Sequence, residues 1–255
     1  MTTEHTVSPA VRRRDADLRR KVALSCNILA MEGLGDVQCG HVSGRRPGEQ
    51  AYWMTPRFVG MEEVRAEDLI LLDLDGNQLL GSRPAQDERP IHAEVYRARP
   101  DAVSVVHVHP PFATALAASG KPLRPVSHEA CYFTPDVPRF EETSDLIVTR
   151  EQGEAMARVM GQREACLLRY HGAVVAGTSV EVACIATLLL EKAARLQLLA
   201  DLQGDYGWTP EAEARLKKEH IYHAAQFATL WAYYCRKLTA LRRFGATGAE
   251  PRELL

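Results

Sequence analysis

Val105-Val106-His107-Val108-His109-Pro110-Pro111 is the stretch that decides how this chain is read. Valines favour a strand, and in a strand residues two apart share a face. His107 and His109 therefore project side by side, while Val106 and Val108 face the other way. Proline has no N–H to give to a ladder, but it suits the first turn of a helix. The Pro110-Pro111 pair thus ends the strand and leaves both imidazoles at an open edge. Two imidazoles converging there can form half of a metal site. The same spacing also suits two partly buried histidines with no metal.

The segments on either side alternate between the two regular structures. Asp15 to Glu32 has near-helical apolar spacing and ends at Gly33 and Gly35. Ala51 to Thr55 reads as a strand, and residues 69–80 as two strands about an Asp75-Gly76 turn. Glu88 to Arg99 reads as a helix stopped by Pro100. A helix from Phe112 to Ala118 closes at Gly120. Thr149-x-x-Gln152 opens a helix with a capping box, and Thr178-Ser-Val-Glu181 resembles a second box before a helix to about Gln203. Between them, Ala165 to Ala176 is a buried strand pair or a bent strand, interrupted at His171-Gly172. Helices between antiparallel strand pairs predict an α/β fold, a three-layer α/β/α sandwich with a mixed, largely antiparallel central sheet. A single domain over residues 1–255 is expected, with a flexible N-terminal arm over about residues 1–14 and a helical tail over about 210–244.

Bulk properties narrow the function. The 255 residues are 46% hydrophobic and 25% charged, ordinary for a globular protein. A net charge of −2 carries no nucleic-acid footprint, and Arg12-Arg13-Arg14 beside Asp15 and Asp17 reads as a solvated helix start. No apolar run approaches the roughly 20 residues a membrane span needs, and no basic-then-apolar leader opens the chain. Cysteines 26, 39, 131, 166, 184 and 235 form no CxxC pair and read as reduced thiols of a cytoplasmic protein. Cys39 stands two residues from His41, a weak candidate metal pair.

Two further chemical signals lie outside the HxH strand. Arg169-Tyr170-His171-Gly172 sets a histidine where an apolar strand meets a glycine turn. Glu88 opens its helix, where an acid ordinarily just complements the dipole. His92, four residues on, shares its face.

Glu88-x3-His92, His107-x-His109 and His171-Gly172 together resemble the class II aldolase/adducin family. The resemblance runs from roughly Arg19 to Leu199, with Gly40-His41-Val42-Ser43, Thr55-Pro56 and Arg99-Pro100-Asp101-Ala102 as further matching points. It implies one divalent ion, zinc or manganese, on His107, His109 and His171, with Glu88 in or beside the shell as the proton carrier. It also implies a homotetramer with active sites between subunits. Members stabilise an enolate formed when a C–C bond breaks: a Lewis acid withdraws electrons and a carboxylate handles the proton.

The branch is read from the pocket. In sugar-phosphate members a Gly-Asn-x-Ser motif, a Thr and a Ser-Ser pair hold the phosphate. Here Ser43 and Thr55 are present, but His41 stands at the Asn position and Gln86-Asp87 at the Ser-Ser position. An aspartate there would repel a phosphate dianion. These departures, with Ser127-His128-Glu129-Ala130-Cys131-Tyr132-Phe133, resemble the branch that decarboxylates hydroxyaromatic dicarboxylates such as 3,4-dihydroxyphthalate. That implies a small carboxylate substrate and a dienone intermediate. Arg57, Arg45 or His41 would hold a second carboxylate, and Tyr132, Tyr233 and Tyr234 are candidates for closing a neighbouring subunit's site. An aldolase of a hydroxy-keto substrate shares every ligand and is the alternative. A non-catalytic adducin-like binding module is the remote one.

Overall fold

The computed structural model describes residues 9–246. Helices α1 (Pro9–Arg14) and α2 (Ala16–Met31) precede strands β1 (His41–Gly44), β2 (Ala51–Met54), β3 (Ile70–Asp73) and β4 (Gln78–Leu80). Helix α3 (Arg89–Ala98) leads to β5 (Ser104–Val108), followed by α4 (Pro111–Ser119) and the short α5 (His128–Cys131). Then come β6 (Arg139–Phe140), α6 (Arg150–Met160), β7 (Ala165–Leu168) and β8 (Gly172–Gly177). Helices α7 (Val180–Leu202), α8 (Glu211–Ile221) and α9 (Ala224–Ala246) close the described chain.

The strands form one sheet in the order β4-β3-β2-β1-β5-β8-β7-β6. Every pair is antiparallel except β6 with β7. The sheet is therefore mixed and largely antiparallel, with helices on both faces, as the order of elements predicts. Strand alternation sorts the side chains into two layers. Val106 and Val108 join the core under α2, α4 and α7, whereas Val105 joins the core under α3 and α6. His107 shares the parity of Val105, so it lies on the α3 side. On the neighbouring strand His41 stands directly opposite His107, and Ser43 opposite Val105. Both β1 residues thus share that side too.

Several boundaries differ from the sequence reading. Strand β5 ends at Val108, so His109 lies one residue past the ladder, on the proline corner. Helix α7 is capped by Ser179, whose side chain accepts from the Val182 N–H. Thr178 is not the cap, and Glu181 instead pairs with Lys21 at 2.8 Å. The capping box at Thr149 and Gln152 is complete. The tail is helical but breaks at Tyr222-His223, where Tyr222 turns into an aromatic cluster with Tyr132 and Phe227. Of the expected arm, residues 1–8 lie outside the described residues, and 9–14 form α1, tied down by an Arg14–Glu49 ion pair. Among the described residues no helix is long and apolar enough to cross a membrane.

Candidate metal centre

Glu88, His107, His109 and His171 offer four ligand atoms that all lie within 4.8 Å of one another. Each arrives from a different kind of position. His107 comes from the last turn of the β5 pleat, and its Nδ1 is within 3.1 Å of the Ala173 carbonyl on β8. That contact assigns the proton to Nδ1 and leaves the Nε2 lone pair facing inward. His109 leans on the proline corner, with Nδ1 2.7 Å from the Asp36 carboxylate. His171 sits in the three-residue turn between β7 and β8. Gly172 is required there: a Cβ would meet the Val108 carbonyl oxygen at 2.5 Å and the His109 ring at 2.7 Å.

Glu88 stands at the N-cap of α3, yet its side chain makes no capping bond. The ordinary reading of a helix-opening acid therefore fails here. The carboxylate, 6% exposed, turns away from the helix end. Its Oε1 accepts from the Ile147 N–H at 2.9 Å and lies 3.7 Å from His171 Nε2. Its Oε2 lies 3.5 Å from His107 Nε2 and 3.8 Å from His41 Nε2.

The donor set fits a divalent ion. Ligand atoms about 2.0–2.1 Å from a tetrahedral ion are roughly 3.3 Å apart. The His107 and His109 Nε2 atoms are 3.1 Å apart, and the Glu88 contacts scatter just above that spacing. His171 Nε2 is buried with no hydrogen-bond partner, a costly state that a ligand bond would relieve. Burial pushes both His107 and His171 down to about 4, so both imidazoles are neutral and able to coordinate near neutral pH. Burial alone would raise the Glu88 carboxyl, but the imidazoles of His107 and His41 outweigh it and hold the group well below its ordinary range.

Asp36, the partner of His109, is a residue the sequence reading missed. One signal surrounds it. The four non-glycine residues with left-handed backbone among those described are Asp36, Val37, Phe58 and Tyr170. Asp36 holds His109, Phe58 follows Arg57, and Tyr170 precedes His171. Such strain, about 1–3 kcal/mol each, persists where the surroundings over-determine it and clusters at functional sites. Left-handed backbone is a property of the folded chain, and nothing in Asp-Val or Arg-Phe announces it.

The expected substrate contacts separate into two groups. Arg57 and Asp87 meet in an ion pair at 2.7 Å, both about half exposed. Asp87 is thus not a bare negative charge, and that part of the electrostatic argument against phosphate weakens. Gln86 donates to the Pro56 carbonyl. The others face inward. Thr55 accepts from the Val42 N–H. Arg45 is 2% exposed and donates to the carbonyls of Glu49, Arg99 and Ala102, so it has no free fork for a carboxylate. His41 and Ser43 are 1% and 0% exposed and bond to His92. Tyr132 packs edge-on against Phe133, Tyr222 and Phe227, and burial raises its phenol. Its surroundings in this chain are those of a core aromatic. Tyr234 packs against the core and Tyr233 is 50% exposed. Cys39 is exposed and outside the ligand cluster.

The chain is similar to known proteins. The chain is 35% identical to the 3,4-dihydroxyphthalate decarboxylase of Arthrobacter keyseri, over 72% of this chain and 78% of that one. It is 34% identical to the protein of the same name from a Terrabacter species, over 71% and 80%. The solved L-fuculose 1-phosphate aldolase of Glaciozyma antarctica superposes with a TM-score of 0.81, covering 92% of this chain and 94% of that one at 24% identity. That likeness shows the fold. The family described as Class II Aldolase and Adducin N-terminal domain matches residues 20–198, a span holding Glu88 and all three histidines. The chain therefore belongs to the class II aldolase/adducin family.

Proposed function

We propose that this protein is a cytoplasmic decarboxylase of an ortho-hydroxyaromatic carboxylate, using one zinc or manganese ion held by His107, His109 and His171. The observation that carries the reading is Glu88. A buried, ionised carboxylate that abandons its helix cap to face three imidazoles suits the task of moving a proton beside a bound cation. The two decarboxylase relatives support this branch. So does His41 at the position where sugar-phosphate members carry an Asn: its ring is committed to His92 and offers no amide to a phosphate.

When bound, the ion would supply a Lewis acid that draws electrons from the ring oxygen. Glu88 starts ionised and takes the proton of the ring hydroxyl. It then returns that proton to the ring carbon bearing the carboxylate. The C–C bond breaks, its electron pair restores the aromatic ring, and carbon dioxide leaves. The phenolate recovers a proton from water on release. Ile147 keeps one Glu88 oxygen pinned, so the other serves the transfer. An exposed ion pair such as Arg57–Asp87 is worth at most about 1 kcal/mol. Arg57 can therefore exchange Asp87 for a second carboxylate of the substrate, and its planar fork suits that group. A homotetramer with sites between subunits is the assembly we infer.

The test is carbon dioxide release by metal-loaded protein from a panel of ortho-hydroxyaromatic carboxylates, including 3,4-dihydroxyphthalate. Chelator-sensitive release is expected. No release from any member, with aldehyde–ketone condensation instead, would overturn the decarboxylase reading in favour of an aldolase.

A further inference from the structure

Behind Glu88 runs an unbroken line of buried polar side chains. Tyr96 Oη is 2.7 Å from Ser43 Oγ. Ser43 Oγ is 2.7 Å from His92 Nδ1, and His92 Nε2 is 2.7 Å from His41 Nδ1. His41 Nε2 then faces Glu88 Oε2 from 3.8 Å. None of these five residues is more than 6% exposed. The 2.7 Å contact between His41 Nδ1 and His92 Nε2 needs one N–H and one lone pair, and a neutral imidazole carries one of each.

Hydrogen counting gives the line a direction. An ionised carboxylate only accepts, so the His41 atom facing it must carry the hydrogen. His41 Nδ1 is then an acceptor and takes the N–H of His92 Nε2. His92 Nδ1 is in turn an acceptor and takes the Ser43 hydroxyl hydrogen. Ser43 then accepts from Tyr96, whose other acceptor, the Val103 carbonyl, is at a long 3.5 Å. Each of the three hydrogen bonds along the line then has one donor and one acceptor, with each hydrogen pointing toward Glu88. The opposite sense would aim at that carboxylate a lone pair of His41, which, unlike His107, stands outside the ligand cluster. At the far end the Arg45 guanidinium covers the Tyr96 ring at 4.5 Å and holds it in place.

We propose that Tyr96, Ser43, His92 and His41 form a one-way hydrogen-bond chain that presents the His41 Nε2–H to Glu88, making His92 a positioning residue for that carboxylate. At 3.8 Å the N–H is too far for a hydrogen bond in this state and acts as an aimed dipole. It holds Oε2 on the side of the three metal-site imidazoles, as Ile147 holds Oε1. The consequence for turnover rests on the role given to Glu88 above, whereas the direction of the chain does not.

The experiment is nitrogen-15 NMR of the full-length, zinc-loaded protein labelled at histidine, with signals assigned through H41Q and H92Q. Both His41 and His92 are expected as Nε2–H tautomers. S43A removes the donor to His92 Nδ1, and the His92 signal should then show mixed tautomers. S43A is also expected to lower kcat roughly 10- to 100-fold, with KM and zinc content unchanged, and Y96F by less. A merely structural Ser43 would lower the melting temperature and leave kcat alone. An Nδ1–H tautomer at either ring, or wild-type kcat in S43A, overturns the proposal. If wild-type protein releases no carbon dioxide from any substrate, the functional reading fails, and the tautomers still decide the chain.

Discussion

Glu88 and Asp15 are both buried carboxylates, at 6% and 2% exposure, and both are held below their ordinary pKa. Their neighbours make them different objects. Asp15 accepts from the guanidinium groups of Arg14 and Arg46 and from the Trp53 indole N–H at 3.0 Å. Those partners are permanent donors with nothing to accept, so the charge is matched and the lone pairs are filled. Glu88 has one firm donor, the Ile147 N–H, and otherwise faces imidazoles. Imidazoles also have lone pairs, and those of His107, His109 and His171 converge with the carboxylate. A filled carboxylate fastens a helix to a sheet. A carboxylate among inward lone pairs is a donor set suited to a cation.

The sharpest way to break that contrast is to remove a lone pair. His171→Ala should take the bound metal from about one equivalent per chain to traces, because three protein ligands leave none to spare. Metal analysis of purified protein would show it, and full occupancy would refute the role of His171. Next in size is Glu88→Gln, which keeps the shape and removes the base. Turnover is expected to fall roughly 10²- to 10⁴-fold with the fold unchanged by circular dichroism. Near-normal turnover would make Glu88 as structural as Asp15.

Asp15→Asn is the mirror experiment and the smallest effect. It should cost about 1–3 kcal/mol of stability, a few degrees of melting temperature at this chain length, while metal content stays whole. Burial alone would raise the Asp15 carboxyl, but the hydrogen bonds from Arg14, Trp53 and Arg46 lower it on balance. Its stabilisation is therefore present above the unfolded carboxylate's pKa of about 4 and is lost as pH falls through the lower folded value. Urea midpoints measured from pH 7 down to 3 should converge for wild type and variant only at the acid end. A constant gap would assign the effect to packing instead of charge.

Much of this molecule is legible in its residues. The period-2 alternation about His107, the two prolines and the turn glycines determine strands, helices and their order, because backbone geometry is local. The HxH spacing alone puts two imidazoles on one side, and family motifs add His171 and Glu88. Other features needed the folded chain. Ser43 and His41 look like pocket residues in sequence, but pairing of β1 with β5 turns them under α3, where His92 takes their bonds. Asp36, 73 residues away in sequence and left-handed in backbone, meets His109 only in the folded chain. Glu88 could have capped its helix like any acid at that position; only the convergence of three separate segments turns it inward. Local sequence determines which way a side chain can point. What it then meets depends on contacts far along the chain, and those exist only after the sheet has closed.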